Sequence, residues 1–483
     1  MKSIKLFILL CSLSFITIGC FEDLDDNPVS TRDLNDFVWK GLNTYYVYKD
    51  NVPDLANDRF SDSEYDNFLN SFSSPEECFE SLIYQRETID RFSWITDNYI
   101  ELQQQLNGTT YNNGMEFGLV RFSSTSSEVF GYVRYVLPNT DAQNKGLQRG
   151  MIFHAVNGTS LNLDNYRDLL SPNNYTINLA TYNNNGTPDT EDDYVEPTNE
   201  SINLTKAPYT ENPIFISEIL QVANQNVGYL MYNGFTRDFD SQLNDTFNYF
   251  QSQNIQNLVL DLRYNSGGSV NTAILLSSMI TGQFTGQTFA TQQWNNDIQS
   301  QLDPNDLIYN FTDNDEGNPL NSLNLSKVYI LTTKSTASAS ELVINCLNPY
   351  INVVQIGDTT TGKYQASITL FDSPDFSSRD VNPIHTYAMQ PLVLKTLNVV
   401  GNTDFNDGLD PDIPAKEKYG NLGVLGNPEE TLLAIALQHI EDTGRISLQP
   451  FSALETVGDS KDFTQTKNRM YIDKNIDLSF RTK

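Results

Sequence analysis

The sequence predicts a layered α/β core with two attachments, a small helical domain ahead of it and a β-rich domain in between. Three observations carry this. From about residue 206 to 440, short apolar runs such as Val227–Tyr232, Leu258–Leu262, Val328–Leu331 and Val353–Ile356 alternate with helical patterns over Phe239–Gln251, Ser269–Met279 and Ser338–Leu347. From about Gly114, Phe117–Phe122 and Val129–Leu137 alternate with a period of two, as strands do. From Asp33, in contrast, Leu34, Phe37, Val38, Gly41, Leu42 and Tyr45 recur at three- and four-residue spacing on one helical face. At 483 residues the chain can bury a large core, and 39% hydrophobic content places it among globular proteins. Its net charge of −31 and the lack of a basic stripe argue against nucleic acid as a partner.

The first 20 residues bear on compartment. Lys2 and Lys5 precede an apolar run, Leu6 to Ile18, of about signal-peptide length. It ends in Thr17-Ile-Gly-Cys20, which resembles a bacterial lipobox with Cys20 as the acylated residue. The acidic run after it, Phe21-Glu-Asp-Leu-Asp-Asp26, resembles the surface-export signal of Bacteroidetes lipoproteins. These resemblances imply a cell-envelope protein, lipid-anchored to the outer membrane on its periplasmic face or at the cell surface. The expected divisions are a signal peptide (1–19), a lipidated tether (20–32), a helical domain (33–112), a β-rich domain (113–205), the α/β core (206–440) and a polar tail (441–483).

Within the β-rich part, the strands, the short helix Ala142–Leu147 and the run Gly150–Gly158 resemble a PDZ domain, which binds peptide C-termini by strand addition. That likeness implies a carboxylate-binding loop at Glu116–Leu119, with Phe117, Gly118 and Leu119 as peptide contacts. The polar stretch Asn183 to Ser201 has no apolar period and is expected to be an exposed loop. After the signal segment and Cys20, only Cys78 and Cys346 remain. Both sit in apolar helical patterns as buried free thiols, and the three scattered histidines offer no basis for a metal site. An Asn402–Gly408 calcium loop is excluded by a misplaced glycine and by Ile413 at the twelfth position.

Three segments could do chemistry. Ser338 lies in Thr336-Ala-Ser-Ala-Ser-Glu341 between a strand and a helix. Ser-x-x-Glu is also a capping box, but a helix N-terminus can stabilise an oxyanion as well. Ser335, Thr336 and Ser340 are competing hydroxyls. Lys363 ends Gly357-Asp-Thr-Thr-Thr-Gly-Lys363, a P-loop match that fails at Tyr364 and at the strand-like residues after it. As a base for Ser338 it would need its pKa lowered from about 10.4 to near 7–8, roughly 4 kcal/mol against the charged form. The strand Leu258–Leu262 runs into Arg263-Tyr-Asn-Ser-Gly-Gly268, a loop able to aim an amide at a carbonyl oxygen, with Asp261 and Arg263 as structural hydrogen-bonders.

Together these segments resemble the C-terminal processing (tail-specific) peptidases, the S41 serine proteases, over the PDZ-like segment and the whole core as far as Gly408-Leu-Asp-Pro-Asp-Ile-Pro414. The resemblance implies a ClpP/crotonase-like layered protease core, Ser338 as nucleophile, Lys363 as base, and oxyanion amides at Gly267 or Gly268 and Ala339. It implies no cofactor, and a polypeptide substrate recognised through its C-terminus. The sequence departs from the family at position 367, where Ser replaces a glutamine that orients the lysine, and at Pro349. The rival reading is a catalytically impaired PDZ-containing lipoprotein that only binds peptides.

Overall fold

The computed structural model describes residues 29–123, 125–187, 192–441, 454–464, 467 and 470–472. The signal segment, Cys20 and the acidic run after it lie outside the described residues. Among these no helix is long and apolar enough to cross a membrane.

Helix α1 (Thr31–Tyr45) starts at Ser30, whose side chain accepts the Asp33 amide, and is followed by α2 (Asp62–Leu69), α3 (Pro75–Ser81) and α4 (Tyr99–Leu106). The helical part shares its core with the rest of the molecule. Phe37, Val38 and Leu42 of α1 join the same apolar cluster as Leu258, Leu276 and Leu342.

The β-rich part is an antiparallel sheet of β1 (Met115–Arg121), β2 (Val129–Val136), β3 (Ile152–Val156), β4 (Asn174–Asn183) and β5 (Tyr194–Thr205). Two sequence expectations change here. Residues 116–119 lie inside β1 rather than in a loop, with Phe117 and Leu119 buried in the sheet's own core. Of the polar stretch 183–201, residues 194–201 are strand, because β5 pairs with β4 from Asn174↔Thr205 to Asn183↔Tyr194, while 184–187 and 192–193 are loop. Most β5 side chains are exposed, so backbone pairing holds the hairpin without an apolar period to reveal it.

The core is built on the sheet β6 (Ile214–Val222), β7 (Gln225–Tyr232), β8 (Asn257–Asp261), β9 (Lys327–Thr332), β10 (Asn352–Gly357) and β11 (Ile413–Pro414), parallel except for the β6–β7 hairpin. Its strands read as continuous apolar runs because both faces are covered. Leu258, Leu260, Val328 and Ile330 face the cluster shared with helices α5 (Asp240–Ser252), α6 (Val270–Thr281) and α7 (Ala339–Leu347). Val259, Tyr329 and Leu331 meet α8 (Thr431–Glu441) on the other side. Cys78 and Cys346 are free and buried, as expected.

The tail expectation is corrected. Glu455–Asp459 forms a strand that extends the β-rich sheet along β1, and Met470–Tyr471 forms another within a second sheet of the core. Such short strands are made by backbone pairing, and among the described residues of the segment Leu454 and Met470 are the buried apolar side chains, so composition reads as polar tail.

Candidate active site

Ser338 stands between β9 and α7 with φ 65° and ψ −115°, a conformation costing about 1–3 kcal/mol in a residue with a Cβ. A strained strand-to-helix turn presents a side chain that regular structure would fold away. The neighbouring hydroxyls are all committed. Ser335 donates to Asp459, Thr336 to the Leu262 carbonyl at 2.8 Å, and Ser340 to the Asn265 carbonyl at 3.1 Å. Ser338 Oγ is buried with no hydrogen-bond partner in the protein. The Ser338/Glu341 capping box is present at the helix start, and its firm hydrogen bond is the one to Glu341, which accepts the Ser338 amide at 2.6 Å.

Glu341 ties this turn to the lysine loop. Its Oε2 also accepts the Lys363 amide at 2.9 Å, while Oε1 takes the Gly362 amide at 2.7 Å and the Thr360 hydroxyl at 2.5 Å. Burial pushes this carboxyl up from its ordinary range, against the pull of its four donors. One oxygen thus holds the backbones of Ser338 and Lys363 together. Lys363 is 2% exposed, and its Nζ lies 5.2 Å from the centre of the Phe92 ring. Arg91 clamps the same loop, donating to the carbonyls of Thr361, Gly362 and Asn406.

The third component is the loop after β8. Asn265 accepts the Ala337 amide through its carbonyl, bracing the serine turn, and its Oδ1 accepts the Gly267 amide at 2.9 Å. That commitment removes Gly267 from the two oxyanion candidates and leaves Gly268. Gly268 has φ 140°, and a Cβ there would sit 2.2 Å from the Phe235 carbonyl oxygen, so only glycine fits. The Ala339 amide opens α7, where backbone N–H groups have no intrahelical acceptor.

Two family models match the chain: Peptidase family S41 over residues 226–414 and Peptidase S41 N-terminal domain over residues 33–94. The chain belongs to peptidase family S41. This S41 serine peptidase is 21% identical over 432 residues to a CtpA-like serine protease of Staphylococcus aureus, spanning 83% of the chain and 80% of that relative. It is 25% identical to a carboxyl-terminal-processing protease of Picosynechococcus over 36% of the chain and 38% of that protein. A solved S41 protease of Bacteroides fragilis superposes with a TM-score of 0.65 at 25% identity, covering 85% of the chain and 98% of that structure.

The departure at position 367 has a structural consequence in this S41 peptidase. Ser367 lies on a short strand, Gln365–Ser367, and donates to Gln390 Oε1 at 3.1 Å and to the Met470 carbonyl at 3.2 Å. Gln365 donates to the Tyr48 hydroxyl, while its own carbonyl oxygen is buried without a partner. Sequence reasoning missed Glu341 beyond its capping pattern, and missed Arg91, Phe92 and Asn265 altogether. Of these, only the Ser-x-x-Glu spacing left a readable trace.

Proposed function

We propose that the protein is a serine endopeptidase of the C-terminal processing type, with Ser338 as nucleophile and Lys363 as general base. The observation that carries this is the isolation of the Ser338 hydroxyl. Among four hydroxyls in one turn it is the one without a partner, and Glu341 holds its backbone beside that of the lysine. Lys363, in its neutral form, takes the Ser338 proton while Oγ attacks the scissile carbonyl carbon. The amides of Gly268 and Ala339 hold the oxyanion. The lysine proton passes to the leaving amine, and water then enters with Lys363 again as base to release the acyl group. The substrate is an unfolded or C-terminally exposed polypeptide, and the β-rich domain, whose sequence resembles a PDZ domain, engages it by strand addition. We place the enzyme at the cell envelope, tethered through Cys20, on the strength of the basic and apolar N-terminal run.

The test is cleavage of an unstructured polypeptide with an apolar C-terminus by residues 21–483, read by mass spectrometry. Ser338→Ala and Lys363→Ala should each lower kcat/KM by roughly 10⁴-fold while leaving substrate binding in place. Equal cleavage by parent and variants would sink the assignment.

A further inference from the structure

Ser338 is 0% exposed and Lys363 2% exposed, so a polypeptide cannot reach them unless something moves. The described part of the chain's own C-terminal segment packs against the serine turn, the Gly268 loop and the strand after Lys363. Residues Glu455–Asp459 pair antiparallel with β1, with Gly458 opposite Leu119 and Asp459 opposite Gly118. Asp459 then forms a buried ion pair with Arg134 at 2.9 Å and accepts the Ser335 hydroxyl at 2.8 Å, three residues before Ser338. Ser460 takes the Phe117 amide, and Lys461 donates to the Asn233 carbonyl. A cavity of about 110 Å³ beside Gly267 and Gly268 is lined in part by Lys461 and Tyr471 of this segment.

Its last strand is the telling one. Met470–Tyr471 runs parallel to Gly268–Ser269 of the oxyanion loop on one side and to Gln365–Ser367, just past Lys363, on the other. The Met470 carbonyl accepts from Ser367 Oγ, and the Ile472 amide donates to the Ser367 carbonyl at 3.1 Å. Ser367 is the residue that departs from the family pattern. Lifted out, this strand would leave a slot one strand wide between the two walls of the site, about 10 Å across at the usual strand spacing. Such a slot reads backbone and not sequence, as an extended polypeptide requires. Met470 is fully buried in an apolar cluster with Ala366, Leu370 and Leu392, so the slot includes a pocket for one apolar side chain. The occupant, Met470-Tyr-Ile472, is an apolar triplet between Lys467-Asn-Arg469 and Asp473-Lys474 in sequence.

We propose that this slot is the binding site for the substrate backbone, and that in the resting enzyme residues 455–459 fill the β1 edge and residues 470–472 fill the slot, as a built-in substrate mimic. The proposal rests on Ser338 and Lys363 being the catalytic pair. An incoming unfolded chain with an apolar residue at the Met470 place displaces the segment and opens the site.

The test uses the whole protein, residues 21–483, with Met470→Asp to eject the strand, and Ile472→Pro as a gentler variant that removes the amide donated to Ser367. Thermal melts verify that both fold. Two readouts are taken: kcat/KM on an unstructured peptide, and, in the Ser338→Ala background, anisotropy of a fluorescent peptide of residues 467–476. Freeing an occupied site should raise kcat/KM by about 10-fold in Met470→Asp and by less in Ile472→Pro. The peptide should bind the opened chains and not the parent. An unchanged or lowered kcat/KM in an active protein, or equal peptide binding by parent and variants, overturns the proposal. Peptide capture by the opened chains without cleavage by any of them upholds the slot and sinks the catalytic pair instead.

Discussion

Two buried polar clusters flank the loop after β8, and they differ in one respect. Around Arg263 every charge is answered. Its guanidinium meets Asp261 at 2.9 Å, Glu430 through two bonds at 2.7 and 2.9 Å, and Glu417, which also takes Arg149 and the Tyr264 hydroxyl. Around Glu341 the carboxylate is equally well satisfied, but the group it delivers, Ser338 Oγ, is left without a partner. A saturated network can only hold a shape. On the proposed function, the isolated hydroxyl in its strained backbone is the group that reacts, because forming its next bond gives up no existing one.

The comparison is broken most severely at Arg263. Arg263→Met leaves Asp261 and Glu430 buried without their cation, and should cost about 3–5 kcal/mol of stability. Urea unfolding measures the loss, and kcat per folded molecule should be retained. A variant that unfolds at the parent's midpoint would mean the cluster adds nothing to the fold.

Acid tests the same cluster more gently. Burial raises the Glu417 carboxyl, but Arg149 and Arg263 outweigh it and hold the group down at about 2, below its ordinary 4.5. A carboxyl depressed on folding gives stability that is complete above the unfolded value and is lost as pH falls through the folded one. Between about pH 5 and 2 this group should therefore surrender about 3 kcal/mol. Asp459 is depressed too, since Lys467 and Arg134 overcome its burial, and it adds to the acid loss. Unfolding free energies at pH 6 and pH 3 should differ less for Glu417→Gln than for the parent. Identical pH slopes would remove Glu417 from the account.

What could be read in the sequence follows from which interactions leave a side-chain signature. The core strands were legible because burial on both faces writes an unbroken apolar run, as in Leu258–Leu262. The serine turn, the lysine and the double glycine stood out as segments of unusual composition at the ends of such runs. Glu341 stood out only as a capping pattern, since it joins the serine turn to the lysine loop through backbone amides that no residue type announces. Arg91 and Phe92 reach the lysine loop from some 270 residues away in sequence, contacts that no local pattern encodes. The two C-terminal strands were hidden for a related reason. Met470–Tyr471 is too short to show a period, Glu455–Asp459 is polar at most positions, and the partners of both are defined by backbone register alone.

The finest contrast lies within the serine turn itself, between two hydroxyls two residues apart. Ser340 donates to the Asn265 carbonyl and sits in helix α7, so Ser340→Ala should lose about 1 kcal/mol and leave kcat within a few-fold. Ser338 carries a Cβ at φ 65° and a buried hydroxyl that bonds to nothing in the protein. Ser338→Gly removes both costs and should raise stability by about 1 kcal/mol, less the extra backbone freedom glycine gains when unfolded, while abolishing cleavage. Opposite signs on stability and opposite effects on turnover, from the same side chain in one turn, would separate a serine kept for structure from one kept strained for chemistry. If Ser338→Gly instead melted lower than the parent, the strain at residue 338 would not be a cost borne for function, and the isolation of its hydroxyl would lose much of its meaning.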